Sequence, residues 1–155
     1  MCLQINIILT EKGLTSKKVH SNGMVKVWKV LKVNSISKFV FFQRLILTSP
    51  ILNSYKWTSG WNKSDRLDKE LTKYETYHQE VSKGIHVFLE KEDTSYMNLF
   101  NIKRTVVVPV YVREKDLVVR NKTQAVFTKV FLKKEDHKTA LKNSANQIKN
   151  AKKKN

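Results

Sequence analysis

The sequence predicts an α+β domain in which a mostly antiparallel sheet of four to six strands is covered by two or three helices. Three observations carry that expectation. Runs dense in β-branched and aromatic residues recur at 25–33, 39–47, 105–112 and 125–132. Two stretches, 65–78 and 136–151, space their apolar residues at helical intervals. The 155 residues include only four Gly and two Pro, with 41% hydrophobic residues. That composition excludes collagen-like and Gly/Pro-rich low-complexity chains and suffices for one hydrophobic core.

Residues 1–22 read as an N-terminal arm. Gln4 and Asn6 interrupt its apolar start, which could pair at a sheet edge before a loop containing Lys12, Gly13, Lys17 and Lys18. A core domain spans 23–132, a C-terminal helix 133–151 and a basic tail 152–155. The alternation of Val25, Val27 and Lys29 with Lys26, Trp28 and Val30 makes 25–33 the clearest strand. Residues 39–47 are apolar on both faces, as in a central strand, and Pro50 ends the run. Residues 55–61 form an aromatic-rich loop or short strand. Ser64 is placed to cap a helix over 65–78, with Asp65 and Asp68 in its first turn and Leu67, Leu71, Tyr74 and His78 on one face. Three β-rich runs end in charged segments closing on Asp93, Asp116 and Asp136. Asp93 and Asp136 are placed to cap helices, whereas Asp116 precedes Leu117-Val118-Val119 and marks a turn. Pro109 argues for an edge or bulge in 105–112. Leu141, Ala145 and Ile148 form the apolar stripe of the last helix.

Thirty basic and thirteen acidic residues give a formal net charge of +17. The excess is concentrated at both ends, with a balanced middle, and basic ends are a common footprint of nucleic-acid contact. Lysines vastly outnumber arginines, and lysine codons are AT-rich, so an AT-rich genome equally accounts for much of the load. One cysteine, Cys2, excludes an intramolecular disulfide and fits a reducing compartment. The start lacks the basic leader of a signal peptide, and no apolar run approaches a bilayer span. The expected protein is soluble and intracellular, in host cytoplasm or a virion if viral, with no membrane partner.

No phosphate-binding loop, dinucleotide fingerprint or zinc spacing is present, and His20, His78, His86 and His137 are scattered, so neither metal nor cofactor is expected. Cys2 would become an N-terminal nucleophile if Met1 were removed, yet nothing nearby resembles an oxyanion hole, so it reads as an ordinary residue. In Gly84-Ile85-His86-Val87-Phe88, glycine permits a positive φ and His86 projects opposite Ile85, Val87 and Leu89. His86 is either a candidate site residue or a half-buried, hydrogen-bonded histidine. Trp28, Trp57, Trp61, Tyr55 and Tyr74 could line a stacking surface beside lysines, or pack in the core. Lys17, Lys18, Lys149, Lys152, Lys153 and Lys154 are the candidate nucleic-acid contacts.

The Met1-Cys2-Leu3 start, Val27-Trp28-Lys29-Val30-Leu31-Lys32, Ser49-Pro50 and Gly84-Ile85-His86-Val87-Phe88 resemble small uncharacterised proteins of phages and large DNA viruses. That resemblance implies a viral accessory protein and brings no activity with it. Lys29, His86 and Gln124 also fall where ADP-ribosyltransferase-like folds carry their nicotinamide-side, stacking and catalytic residues. The chain departs from that pattern at two points: His86 stands for the stacking Tyr and Gln124 for the catalytic Glu. A neutral Gln cannot stabilise an oxocarbenium-like transition state, so this resemblance implies an inactive nucleotide-binding domain.

Three readings therefore stand. One is a basic accessory protein binding RNA, DNA or another polyanion through its lysine-rich ends. The second is a transferase-like nucleotide-binding domain with His86 and Gln124 in its pocket. The third is a structural or host-protein-binding chain whose lysines reflect genome composition.

Overall fold

Along residues 25–33, Val25, Val27, Leu31 and Val33 alternate with Lys26, Trp28, Val30 and Lys32. Successive side chains of a strand point to opposite faces, so this pattern dictates one apolar and one mixed surface. The computed structural model describes residues 3–6, 22–39, 42–50, 55–64, 78–81 and 84–152. Its strands are β1 (Leu3–Asn6), β2 (Val25–Phe39), β3 (Phe42–Thr48), β4 (Lys56–Trp57), β5 (Gly60–Lys63), β6 (His78–Val81), β7 (Ile85–Phe88), β8 (Thr105–Val112), β9 (Leu117–Arg120), β10 (Gln124–Phe127) and β11 (Lys129–Leu132). The α-helix α1 runs Lys134–Lys152, and a 3-10 segment occupies Glu92–Phe100.

Nine strands form one antiparallel sheet in the order β5-β11-β8-β2-β7-β10-β9, with β3 and β4 continuing from β2. β1 and β6 form a separate two-stranded pair, from Leu3 opposite Val81 to Asn6 opposite His78. One edge of β2 pairs with β8 from Val25 opposite Val112 to Lys32 opposite Thr105. Its other edge is divided. Trp28 pairs with Phe88 of β7, and from Lys32 onward β2 pairs with β3.

The inner face carries the core. Val25 and Val27 stand opposite Val112 and Val110, and the row Val33–Leu47–Trp57 crosses β2, β3 and β4. All seven are buried, together with Val87, Ala125, Phe127, Val130 and Leu132. Full burial of such side chains is worth about 1.5–3 kcal/mol each. Helix α1 lies on this face, with Ala140 in the core and Leu141 packed against it. The buried Ser144 hydroxyl donates to the Ala140 carbonyl at 2.7 Å, so the polar group is not stranded. On the opposite, outer face, Met97 of the 3-10 segment covers Val30 and Phe88, with Trp28 and Ile102 alongside.

The expected sheet of four to six strands under two or three helices is too small in strands and too rich in helices. The sheet has nine strands, and α1 is the one long helix among the described residues. Several strands are short and polar, as in Gly60–Lys63, so their sequences carry no β-dense run. The expected strand 25–33 continues to Phe39 through Asn34, Ser35 and Ser37. The second begins at Phe42, and 125–132 is two strands divided at Thr128, whose N–H donates to the Asp116 carbonyl at 2.9 Å. The last helix begins at Lys134, one residue inside the expected 133–151 segment and two before Asp136, which places Glu135 and Asp136 inside its first turn, where carboxylates favour the positive helix end. Asp93 lies inside a 3-10 segment preceded by Lys91, with no side-chain cap. Of the expected helix 65–78, residues 65–77 lie outside the described residues and His78 begins β6.

Candidate nucleic-acid interface

The outer face is built by register. Trp61 of β5 stands opposite Phe131 of β11, Phe131 opposite Tyr111 of β8, and Tyr111 opposite Lys26 of β2. Paired residues in an antiparallel sheet share a face, so three aromatic rings and a lysine form one row across four strands. Neighbouring strands lie about 4.8 Å apart, which makes the row roughly 14 Å long. The Trp61 and Phe131 rings meet edge to face, centroids 5.3 Å apart. Trp28 lies two residues along β2, opposite Pro109.

Cations surround these rings. Lys26 Nζ lies 4.8 Å and Lys91 Nζ 5.5 Å from the Trp28 ring centre. Lys133 Nζ is 4.2 Å from that of Tyr111. The Arg113 guanidinium carbon is 4.4 Å and Lys129 Nζ 5.5 Å from that of Trp61. Lysine and arginine stems cover apolar rings while their charges remain near water. Asp116 organises the Trp61 end: its Oδ2 accepts from Arg113 Nε at 2.9 Å, and its Oδ1 lies 3.9 Å from Lys129 Nζ. Lys63 and Lys129 are direct cross-strand partners. Like charges directly opposed destabilise a strand pair, and Asp116 beside Lys129 offsets that repulsion. The β4–β5 turn that presents Trp61 is fixed by the buried Asn62 side chain. Its Oδ1 accepts from the Thr58 N–H at 3.0 Å, and its Nδ2 donates to the Thr58 and Gly60 carbonyls at 2.8 and 3.2 Å.

Of the five aromatics expected to form a stacking surface, Trp28 and Trp61 occupy the outer face. Trp57 is buried in the core, with Nε1 donating to Ser49 Oγ at 3.1 Å. Tyr55 packs against the core with its hydroxyl donating to the Lys63 carbonyl, and Tyr74 lies outside the described residues. Lys17, Lys18, Lys153 and Lys154 are also outside them. Lys149 and Lys152 belong to α1. Sequence reasoning missed Tyr111, Phe131, Lys63, Arg113 and Lys129. The signal was present only as odd-numbered positions in three separate strands.

His86 and Gln124 lie on adjacent strands. Val126 stands opposite His86 and Gln124 opposite Phe88, so the two side chains share the outer face, offset by one pair. Gln124 is buried beside the turn in which Asn121 Oδ1 accepts from the Thr123 and Gln124 N–H groups at 3.0 and 2.8 Å. Lys29 belongs to the inner face and does not join them. Its Nζ donates to the His86 backbone carbonyl at 2.6 Å, where β2 and β7 part, and lies 5.8 Å from the Trp57 ring centre. The side chain is half-buried by surface area, yet its ammonium is enclosed closely enough that burial lowers its pKa from 10.5 to about 8. Of the three residues of the transferase resemblance, His86 and Gln124 thus share a face and Lys29 lies on the other.

Among the described residues no group of three or more His, Cys, Asp or Glu could hold a metal ion, and no helix is long and apolar enough to cross a membrane. No protein-family model matches the chain, and neither a curated protein nor a solved structure does.

Proposed function

We propose that this protein binds nucleic acid across the outer face of its sheet, with the basic chain ends adding to the attraction. The observation that carries this reading is exposed Trp61 at the end of the row Trp61, Phe131, Tyr111 and Lys26, with Arg113 and Lys129 against its ring and Lys133 against that of buried Tyr111. Lys63 and Lys129 on adjacent strands support it, because both add positive charge beside Trp61 on the same face. Aromatic rings beside a positive track are the two components by which proteins hold single strands without sequence readout. Genome composition explains many lysines, but not their placement around one set of rings.

The test is the salt dependence of oligonucleotide binding. Neutralising each phosphate releases counterions, so five contacts from Lys26, Lys63, Lys129, Lys133 and Arg113 give a log–log slope of about −3.5 on a single strand. The double substitution Lys63→Gln, Lys129→Gln should reduce that slope by about 1.4. Absence of binding at low salt, or a slope unchanged by the double substitution, would overturn the reading.

A further inference from the structure

We infer that the ligand class is single-stranded nucleic acid, and that Trp61 is the platform on which an unpaired base stacks. This rests on the nucleic-acid reading and makes it specific. Trp61 lies on β5, an end strand of the sheet, and the residue keeps 38% of its surface exposed. That exposure leaves part of the indole open to solvent on the outer face, beside the cations that contact it. Phe131 holds it edge-on at 5.3 Å, and Arg113 backs it at 4.4 Å. Arg113 is in turn fixed by Asp116 at 2.9 Å, so the platform is set before any ligand arrives.

The same contacts argue against a duplex. In a double helix the base planes are already stacked on one another and offer only their edges in the grooves. Lysines alone would serve single and double strands alike. It is the exposed indole that favours an unstacked base, and it does so for any base, because each has a π face.

The experiment compares three ligands of equal length on the full chain: a single-stranded DNA oligonucleotide, its duplex, and a strand of abasic sites carrying the same phosphates. The unaltered protein should bind the normal strand about 5- to 150-fold more tightly than the abasic strand, the range for one stacked base. Trp61→Ala should bring the ratio of normal to abasic affinity close to one, whereas Trp61→Phe should keep most of it. Equal affinity of the unaltered chain for normal and abasic strands, or a preference for duplex, overturns the inference while the nucleic-acid reading survives. So does a ratio of normal to abasic affinity that Trp61→Ala leaves unchanged. The abasic comparison needs no variant, so it decides the matter even if Trp61→Ala does not fold. Absence of binding to all three ligands at low salt overturns both.

Discussion

Lysine 29 stands on the apolar face of β2, and replacing it with methionine should change the sign of a stability difference as pH rises. Below about 8 the ammonium is charged in the folded and the unfolded chain, and the full cost of enclosing it is present. Between about 8 and 10.5 the folded protein has released this proton and the unfolded chain retains it. The unfolded state then binds more protons, so stability rises with pH. Above 10.5 both forms are neutral and the cost is gone. Multiplying the shift by 1.36 kcal/mol per unit gives about 3 kcal/mol for the whole window. Methionine removes the charge and nearly keeps the volume, but deprives the His86 carbonyl of its donor at 2.6 Å. A buried carbonyl left without that partner costs about 1–3 kcal/mol. Lys29→Met should therefore be more stable than the parent by about 0–2 kcal/mol at pH 7, and less stable by about 1–3 kcal/mol near pH 10.5. Urea denaturation followed by circular dichroism across that range measures it, with every other titration common to both proteins. A difference that stays constant from pH 7 to 10.5 would refute the reasoning, because it would mean the amine is not enclosed.

Gly84 adopts φ +98°, and a Cβ there would lie 2.4 Å from Val126 Cγ1 and 3.4 Å from the Phe127 carbonyl oxygen. Gly84→Ala should lose about 2–4 kcal/mol from backbone strain and overpacking together, read from the thermal midpoint; a loss under about 1 kcal/mol would show that the turn relaxes freely. Asp116→Asn frees Arg113 and Lys129 from their shared counter-charge. It should lower stability by about 1.5–3 kcal/mol and tighten binding to an abasic strand, and unchanged binding would mean that neither cation meets phosphate.

The strand 105–112 was legible to the residue, because a run dense in β-branched residues ended at charged ones. Pro109, however, marks neither an edge nor a bulge in the pairing with β2: β8 lies between β11 and β2, with Pro109 opposite Trp28. The alternation of β2 was legible too, but not its length, since Asn34, Ser35 and Ser37 lie in strand only through pairing with β3. Trp57 and Trp61 show the limit most clearly. Their even spacing in one strand would place both on the same face. The turn through Thr58 and Ser59 breaks the strand, so one indole enters the core and the other faces outward. No local pattern reports that break. The aromatic row was hidden for the same reason: Trp61, Tyr111 and Phe131 are neighbours through register, and register between distant strands is set by the assembled core.

The pairing of β2 with β8 also bears on how the chain emerges from the ribosome. Val25 meets Val112, so about 87 residues must be added before that edge of β2 can close. At about 5–20 residues per second the wait is roughly 4–17 s. The hairpin with β3 needs only a local turn and can close first, since Phe39 stands opposite Phe42. During the delay a long strand exposes a row of unpaired amides and carbonyls, the kind of edge that recruits other nascent chains. Lys26, Lys29 and Lys32 punctuate that edge, and Lys29 does so on the very face that will later be apolar. A charge directed inward obstructs pairing with a foreign strand, whose own apolar face would have to enclose it. The residue that weakens the finished fold at neutral pH is thus the one that guards the strand while its partner is still being synthesised.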